Sequence, residues 1–404
     1  MKHATLRAAL TALLLVLGLA AAGSASALPR FTLMTGARCS NCHVDAAGGG
    51  LRTEMGWYAM NHAGSFTWDQ IGWQGLHDLK SNTYFNGLMT VGFDSRYQMF
   101  KTPPSYNAFG NYDAGSRLFV PMQFAPSVSL QPVQQLTLLG TVNLAAVDFG
   151  AGKHIYPGQS VWEAWAKYQP GIELPYLRAG MIQPKVGIRH DDHTMLINTN
   201  AFMGGRPKPM IAPYWTDPGA EIGYEGLHFV SAEASVFMAR NLADSVLPLA
   251  GSKTPPIKRD AMGYSGTLTF SPQSLEYGLN SWLGASVLGS GDFQMLYGFA
   301  GIGKTYLGSL MGEISRSAPA ASTTTLNYMV IASYPAFDWL AIEARGEWAK
   351  TTGPTAATTY GTDAYVFGIQ YFPVPFLELR PEYRYIKTVE YALGEYTLQA
   401  HVFF

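Results

Sequence analysis

The sequence predicts an all-β fold, an antiparallel outer-membrane β-barrel of about 16 strands over residues 81–404. Three observations support this prediction. Glycine (43 residues) and tyrosine (23 residues) are abundant, whereas charged residues make up only 14% of the chain. Roughly 16 runs of alternating apolar and polar residues follow one another, at about 20 residues for each strand and connection. The connections alternate between short turns and longer polar stretches, as in barrels that carry their long loops at one end.

The first 27 residues have the pattern of a secretory signal. Lys2 and Arg7 form a basic start, an apolar run covers residues 8–22, and small residues occupy 24–27. We expect cleavage after about Ala27 and leave residues 1–27 out of the fold. Without Lys2 and Arg7, the chain has 25 Lys and Arg residues and 28 Asp and Glu residues, so its net charge is −3. This charge gives no indication of nucleic-acid binding. No second apolar run reaches the roughly 18 residues of a membrane helix.

The alternating runs and the turn residues between them define the expected strand order. We predict strands at 118–130, 136–149, 160–168, 174–182, 281–288, 336–348, 364–372 and 376–386, short turns at 132–133, 170–171, 226–227, 271–272, 333–335 and 373–375, and long loops at 101–115, 150–158, 184–218, 241–259, 316–323 and 350–362.

The C-terminal strand shows the alternation most clearly. Apolar residues, including Tyr396, Leu398 and Val402, fall on one face, and Gln399 and His401 fall on the other. A lipid-facing wall and a polar lumen predict this period of two. A half-buried strand of a secreted sandwich is the alternative, but it would not place the long loops at one end.

The two cysteines belong to one motif, Cys39-Ser40-Asn41-Cys42-His43. Cys-x-x-Cys-His is the attachment signature of c-type haem, because two thiols at this spacing can add to the two vinyl groups of one haem. The motif predicts one haem c, with His43 as proximal iron ligand. A redox dithiol or a chance match is the alternative, but a dithiol would normally lie in a βαβ context that this sequence lacks.

The sixth iron ligand remains open between two residues, Met60 and His62. Met34, Met55 and His77 are further candidates in the same segment. A thioether ligand would raise the reduction potential, and a second imidazole would lower it. The alternative is that these side chains only pack around the ring, or that the iron is five-coordinate.

Residues 28–80 are too few to enclose a haem and also build an independent core. A barrel of about 16 strands has a wide lumen, and large barrels are often plugged by their own chain. We therefore predict that residues 28–80 form a short N-terminal haem-bearing plug in the pore or at its periplasmic mouth. Its aromatic residues would pack against the haem and the lumen wall; they are Trp57, Tyr58, Phe66, Trp68 and Trp73.

A second cluster of possible metal ligands lies in the longest predicted loop, which is long enough to fold into the lumen. Asp191, Asp192 and His193 combine carboxylates with an imidazole, a set that suits Fe(II) or Mn(II). The functional hypothesis is an external metal site. The alternative is a loop anchor in which these side chains satisfy buried backbone groups.

With a signal, one haem motif near the mature N-terminus and a porin-like remainder, the chain resembles the fused monohaem cytochrome–porins of the outer membrane. Residues 28–39, which read Leu-Pro-Arg-Phe and end in Thr-Gly-Ala-Arg-Cys, look like the segment that precedes the haem in that family. The best-known members oxidise Fe(II) at the cell surface. Residues 44–53 differ from those members, so the resemblance supports the haem and the barrel more strongly than the iron substrate.

The resemblance implies an electron conduit in the outer membrane of a Gram-negative bacterium. An external donor, Fe(II) as first choice, would reduce the haem, and a periplasmic cytochrome or copper protein would accept the electron. One alternative is a solute porin with a structural or gating haem plug. The other is outward electron transfer to an external acceptor. In each case the barrel is surrounded by outer-membrane lipid.

Overall fold

The computed structural model describes most of the chain after residue 29. The described residues are 30–37, 39–46, 48–101, 105–106, 112–113, 117–146, 162–189, 195–198, 215–227, 229–246, 256–274, 278–320 and 323–404. The predicted signal, residues 1–27, lies outside them.

Sixteen antiparallel strands form one closed ring within the described residues, which confirms the predicted barrel. The ring closes where the first strand pairs with the last, from Asp94 opposite Phe403 to Met99 opposite Leu398. Two-residue strands at Thr83–Tyr84 and Gln273–Ser274 add short ribbons to the wall, and a small hairpin joins Ser105–Tyr106 to Tyr112–Asp113. The barrel strands are β1 (Met89–Lys101), β2 (Arg117–Val133), β3 (Leu136–Val142), β4 (Trp162–Tyr168), β5 (Tyr176–Ile182), β6 (Asp217–Leu227), β7 (Val230–Met238), β8 (Met262–Phe270), β9 (Leu279–Ser290), β10 (Phe293–Lys304), β11 (Gly308–Ala320), β12 (Thr323–Phe337), β13 (Leu340–Thr352), β14 (Tyr360–Val374), β15 (Leu377–Thr388) and β16 (Ala392–Phe403).

Short helices precede and interrupt the barrel. Thr53 begins the longest helix of the N-terminal segment by accepting a hydrogen bond from the Gly56 amide at 3.2 Å. Among the described residues, none of the helices has the length and apolarity needed to cross a bilayer. The helices are α1 (Arg30–Thr35), α2 (Cys39–Cys42), α3 (Glu54–Asn61), α4 (Gln74–His77) and α5 (Arg240–Ser245), with 3₁₀ turns at Leu144–Ala146, Leu196–Asn198 and Ala356–Thr358.

The strands place polar residues inside and apolar residues outside, as β16 illustrates. Gln399 and His401 are buried in the lumen, whereas Tyr396 is 80% exposed on the outer surface. Leu398 and Val402 also face outward, so the predicted division of this strand is confirmed. Successive side chains of a strand point to opposite faces, which leaves one face for lipid and one for the lumen.

The lumen wall has a charged half and an apolar half. On the charged half, Arg345 and Glu347 pair at 2.7 Å and Arg380 and Glu343 at 2.8 Å. His401 lies 3.1 Å from a neighbouring carboxylate on each side. The apolar half, on β7 and β9–β12, is packed like a protein core and includes Phe237, Trp282, Phe299, Met311, Met329 and Ile331.

The loop after β5 folds into the lumen and joins its two halves. The Lys185 ammonium lies 2.7 Å from a Glu233 carboxylate oxygen, and the Ile188 amide donates to Glu313 at 3.0 Å. Burial lowers the pKa of the Lys185 ammonium, but the charges of Glu233 and Glu225 and the hydrogen bond to Glu233 together raise that pKa above its usual value. Across the lumen, the Leu196 amide donates to Glu347. The described parts of this loop therefore narrow the pore.

Several details of the predicted strand order are wrong: the strand predicted at 136–149 ends at Val142, and the one predicted at 336–348 spans the turn between Phe337 and Leu340. Residues 316–323 were expected to be a long loop, but β11 and β12 extend to Ala320 and from Thr323. Their small polar side chains, such as Ser317 and Thr325, face the lumen instead of a solvated loop. The expected turn at 333–335 lies within β12, which accommodates Pro335 beside an irregularity in its pairing with β13.

Candidate functional site: the Cys-x-x-Cys-His segment in the barrel mouth

The N-terminal segment is seated in the mouth at the short-turn end of the barrel. The amides of Ser65 and Phe66 each donate at 2.9 Å to the carbonyls of Phe372 and Pro373, near the β14–β15 turn. The Trp57 ring packs 5.4 Å from the ring of Phe376. The described part of the predicted plug segment is thus held by backbone hydrogen bonds and aromatic packing to the mouth.

Helix α1 lies against the apolar half of the wall. Leu33 is fully buried, and its carbonyl accepts a hydrogen bond from Asn280 at 2.8 Å. Gly301 and Gly303 of β10 leave the space that α1 occupies, since a Cβ atom at Gly303 would lie 2.7 Å from the Leu33 Cβ. A larger residue on β10 would displace the helix.

The motif forms a single helical turn followed by a tight hairpin. The His43 amide donates to the Cys39 carbonyl at 2.8 Å, which continues α2 by one residue. His43 then pairs with Arg52 in an isolated β-bridge, and the Val44 amide donates to the Leu51 carbonyl at 3.0 Å. These contacts fix His43 directly after the two cysteines.

The two thiols have different surroundings. Neither Cys39 nor Cys42 forms a disulfide. Cys39 is buried within the apolar cluster that also contains Ile188 and Trp215, and Cys42 is half-buried. Burial raises the pKa of the Cys42 thiol, and the positive charge of Arg52 opposes this shift only in part.

Helix α3 packs directly on the motif. A Cβ atom at Gly56 would lie 2.2 Å from the Cys42 carbonyl oxygen, so only glycine permits this contact. The Thr53 amide donates to the same carbonyl at 3.0 Å, and the Thr53 hydroxyl donates to the Asn41 carbonyl at 2.5 Å. These bonds fix α3 against the motif.

Asp45 ties the hairpin to the lumen wall and to the infolded loop. One carboxylate oxygen lies 3.0 Å from Arg178 of β5, and the other lies 3.0 Å from Arg189 of the loop. Arg178 is also 2.9 Å from Glu221 of β6. Gly49, at φ +76°, approaches the Arg189 guanidinium so closely that a Cβ would lie 3.1 Å from its Nε. Asp45, Arg178 and Arg189, which we call the Asp45 latch, join the plug to the barrel two residues after His43.

The structure separates the two preferred candidates for the sixth ligand. Met60 is half-buried and packs in a cluster with Trp57 and Trp68. His62 is exposed at the end of α3, with its ring 4.8 Å from that of Tyr58. Met55 is also exposed, with its sulfur 4.0 Å from the Asn41 amide nitrogen. Iron ligation by Met60 or His62 stays a prediction.

The residues present fit a c-type haem. Two thiols that form no disulfide lie one helical turn apart and an imidazole follows them, which is the donor set that attachment requires. The indole N–H groups of Trp57 and Trp68 are buried without an acceptor among the described residues. Buried donors without partners are costly, and the Trp57 indole follows Gly56 beside the motif, where it would suit a carboxylate of a haem.

The second predicted site, formed by Asp191, Asp192 and His193, lies outside the described residues. The residues that flank it, Arg189 and Met195, both lie in the lumen. Among the described residues, no group of three His, Cys, Asp or Glu is placed to hold a metal ion. The external metal site therefore stays a prediction.

A narrow cleft runs beside the plug. It is lined by Asp45 and Leu51 of the plug and by Asp94, Arg96 and Gln123 of the wall, and its volume is about 60 Å³. One water molecule needs about 10–15 Å³ of such space, so the cleft has room for a few waters and not for a larger solute.

The sequence did not single out the three residues of the latch. Asp45 and the three following glycines lie close to the motif and could have indicated a bound loop. Arg178 and Arg189 carried no local signal, because their contact with Asp45 depends on the barrel register.

Comparison with known proteins identifies the fold. No family model matches the chain, and the search of curated proteins found no match. Among solved structures, OprB of Pseudomonas putida, at high pH, is similar with a TM-score of 0.53 and 13% identity, over 78% of this chain and 94% of that chain. The outer membrane channel DcaP of Acinetobacter baumannii has a TM-score of 0.51 and 12% identity, over 78% of this chain and 97% of that chain. This chain has a porin-type barrel fold. At such identities the likeness extends to the fold alone, so the porin part of the predicted resemblance is confirmed and the cytochrome part stays a prediction.

Proposed function

We propose that this chain is an outer-membrane electron conduit in which residues 28–80 carry one haem c inside a porin-type barrel. The observation that carries the proposal is the position of Cys39, Cys42 and His43. They lie on a segment seated in the barrel mouth and tied by the Asp45 latch to a loop that folds in from the other end. A redox centre at this position would be reachable from both sides of the membrane.

Different residues of the chain have different roles in holding the proposed haem. The Cys39 and Cys42 thiols would attach the haem, and the His43 imidazole would bind its iron. We choose Met60 as the sixth ligand, because it packs with Trp57 and Trp68 in the cluster at the barrel mouth, whereas His62 is exposed to solvent. When bound, the haem supplies a centre that takes up and releases one electron. The latch and Gly56 hold the motif in position, and the infolded loop narrows the pore around it.

The barrel shortens the distance that an electron must cross between an external donor and a periplasmic acceptor. The hydrocarbon core of a bilayer is about 30 Å thick, which separates an external donor from a periplasmic carrier. A plugged barrel brings the two within reach of one haem without opening a large aqueous path. The donor is proposed to be Fe(II), and the acceptor a periplasmic cytochrome or copper protein.

A second function, a solute channel with a structural or gating haem plug, is favoured by the likeness to the channel DcaP. The seated plug and the infolded loop both narrow the pore. Solute passage would then require the plug to move. Outward electron transfer would use the same arrangement in reverse.

One set of measurements tests these functions on the purified full-length protein. A pyridine haemochrome spectrum measures covalent haem, with a Cys39→Ser/Cys42→Ser variant as the control that lacks both thiols. Anaerobic Fe(II) is then added to the oxidised protein. Rapid appearance of the reduced haem spectrum supports inward electron transfer, and its absence together with solute flux into liposomes supports the channel. A haem potential far below that of the Fe(III)/Fe(II) couple would favour outward transfer.

A further inference from the structure

The N-terminal segment exposes a group of large apolar side chains at the barrel mouth. Met55 and Tyr58 of α3 are 59% and 61% exposed, and Phe66 and Trp73 are 51% and 59% exposed. Soluble surfaces rarely leave so many large apolar side chains together, and such groups commonly mark interaction sites. The sequence predicts that Tyr58, Phe66 and Trp73 pack against the haem and the lumen wall, but the wall leaves them exposed, so their exposure needs another explanation.

The exposed residues belong to one surface and not to separate spots. Beneath them, Trp57, Met60, Trp68 and Leu79 pack in one cluster, so α3 and residues 66–79 form a single layer. Tyr58 follows Trp57 by one residue, about 100° further around α3, and is exposed whereas Trp57 is buried. Trp73 stacks on Trp68 with ring centroids 5.7 Å apart.

The same surface is negatively charged. Glu54, Asp69 and Asp78 are exposed, and Lys80 is the one exposed Lys or Arg among residues 54–80. Glu54 accepts a hydrogen bond from Ser81 at 2.7 Å, which orients its carboxylate. We call Met55, Tyr58, Phe66 and Trp73, with the three carboxylates, the acidic aromatic face.

This face lies close to the haem motif. Helix α3 contacts the Cys42 carbonyl through Gly56 on one side and exposes Met55 and Tyr58 on the other. An α-helix with its side chains is about 10 Å across, so a protein bound to this face comes within about one helix diameter of Cys42. The face is also at the short-turn end, which is the periplasmic end in outer-membrane barrels.

We infer that the acidic aromatic face is the docking site for a soluble periplasmic redox protein with a positively charged patch around its own redox centre. The inference rests on the proposed electron-transfer function and names the surface and the charge of the partner. Charge complementarity selects a basic partner and speeds its encounter, and the aromatic side chains supply the apolar centre. Interfaces of electron-transfer complexes are small and transient, so four large side chains and three carboxylates are enough for such a docking site.

The test measures binding of a basic monohaem cytochrome c to the full-length protein in nanodiscs, with an acidic cytochrome of similar size as the charge control. The variant Glu54→Lys/Asp69→Lys/Asp78→Lys should weaken binding by at least about tenfold at low salt. The control is Glu173→Lys, which changes an exposed carboxylate in the β4–β5 turn at the same end of the barrel but away from the Trp57 cluster. This control should bind like the unmodified protein.

Two further measurements keep the inference falsifiable. Binding of the unmodified protein should weaken as salt rises from about 20 mM to about 200 mM, because screening shortens the reach of charges. Tyr58→Ser should weaken binding while preserving that salt dependence. Equal binding by the triple variant and Glu173→Lys, or equal binding of the acidic cytochrome, would overturn the inference. Haemochrome spectra of the same samples report separately on the proposed function, since absence of haem would defeat that function while binding is still measured.

Discussion

Replacing Asp45 with asparagine should loosen the plug without unfolding the barrel. The Asp45 carboxylate is 9% exposed, and its partners Arg178 and Arg189 are 3% and 19% exposed. Removing one member of a buried ion pair costs about 3–5 kcal/mol, because the other charge is left buried. Arg178 keeps Glu221 and Arg189 has partial access to water, so we take the lower value of about 3 kcal/mol.

This cost applies to the seating of the hairpin between His43 and Arg52, which Asp45 holds against the wall. Since about 1.4 kcal/mol corresponds to a factor of ten, Asp45→Asn should raise the population of the opened hairpin about 100-fold. Hydrogen exchange measures it directly at the Val44 amide, which donates to Leu51 only while the hairpin is formed. Protection at Val44 should fall about 100-fold, while protection of β13 and β14 amides should not change.

The matched control for this experiment is Asp69→Asn, an exposed carboxylate in the same segment. It should change protection at Val44 by less than about threefold, because exposed substitutions usually cost below about 0.5 kcal/mol. If Asp45→Asn and Asp69→Asn gave the same protection, the latch would not hold the plug. If protection of the barrel strands fell equally, the two parts would unfold together and the assignment of the cost to seating would be wrong.

Three further outcomes are expected. Gly49→Ala should destabilise the plug hairpin more than Gly50→Ala in the same exchange experiment, because both have positive φ but only Gly49 lies against the Arg189 guanidinium. Equal effects would mean that the loss of stability comes from the positive φ alone and not from the contact with Arg189. Gly56→Ala should lower covalent haem content, since its Cβ would lie 2.2 Å from the Cys42 carbonyl oxygen, whereas Gly75→Ala, with open space around it, should leave haem content unchanged. In protein made without haem, iodoacetamide should alkylate Cys42 more slowly than free cysteine at neutral pH, because burial raises the pKa of the Cys42 thiol and less of it is thiolate. The alkylation rate should rise only at higher pH. A rate equal to that of free cysteine at neutral pH would contradict the burial of Cys42.

The barrel could be predicted from the sequence because its signal is local. A period of two in β16, with Tyr396 and Leu398 outside and Gln399 and His401 inside, is readable without knowing any partner strand. The same reasoning failed where local composition misleads. Ser, Thr and Ala in β11 and β12 look like a loop, and Pro335 looks like a turn, but closed-ring pairing on both sides keeps these residues in strands.

The candidate site could be predicted only in part, for a physical reason. Cys39, Cys42 and His43 are contiguous in sequence, so their chemistry is visible before folding. The contact between Asp45 and Arg178 depends on the strand register and on how deep the hairpin enters. Whether Met60 lies inward and His62 outward likewise depends on which side of α3 meets the barrel.

The packing between the mouth and the plug also has a consequence for assembly. Phe403 of β16 packs in the cluster that holds Trp57, and the Arg52 guanidinium lies 4.5 Å above its ring. The seat of the N-terminal segment is therefore completed by the strand that closes the ring with β1. Contacts between such distant parts of a chain form late in folding. The N-terminal segment therefore cannot complete its seat before β16 pairs with β1, and until then its two thiols stay accessible for attachment of the proposed haem.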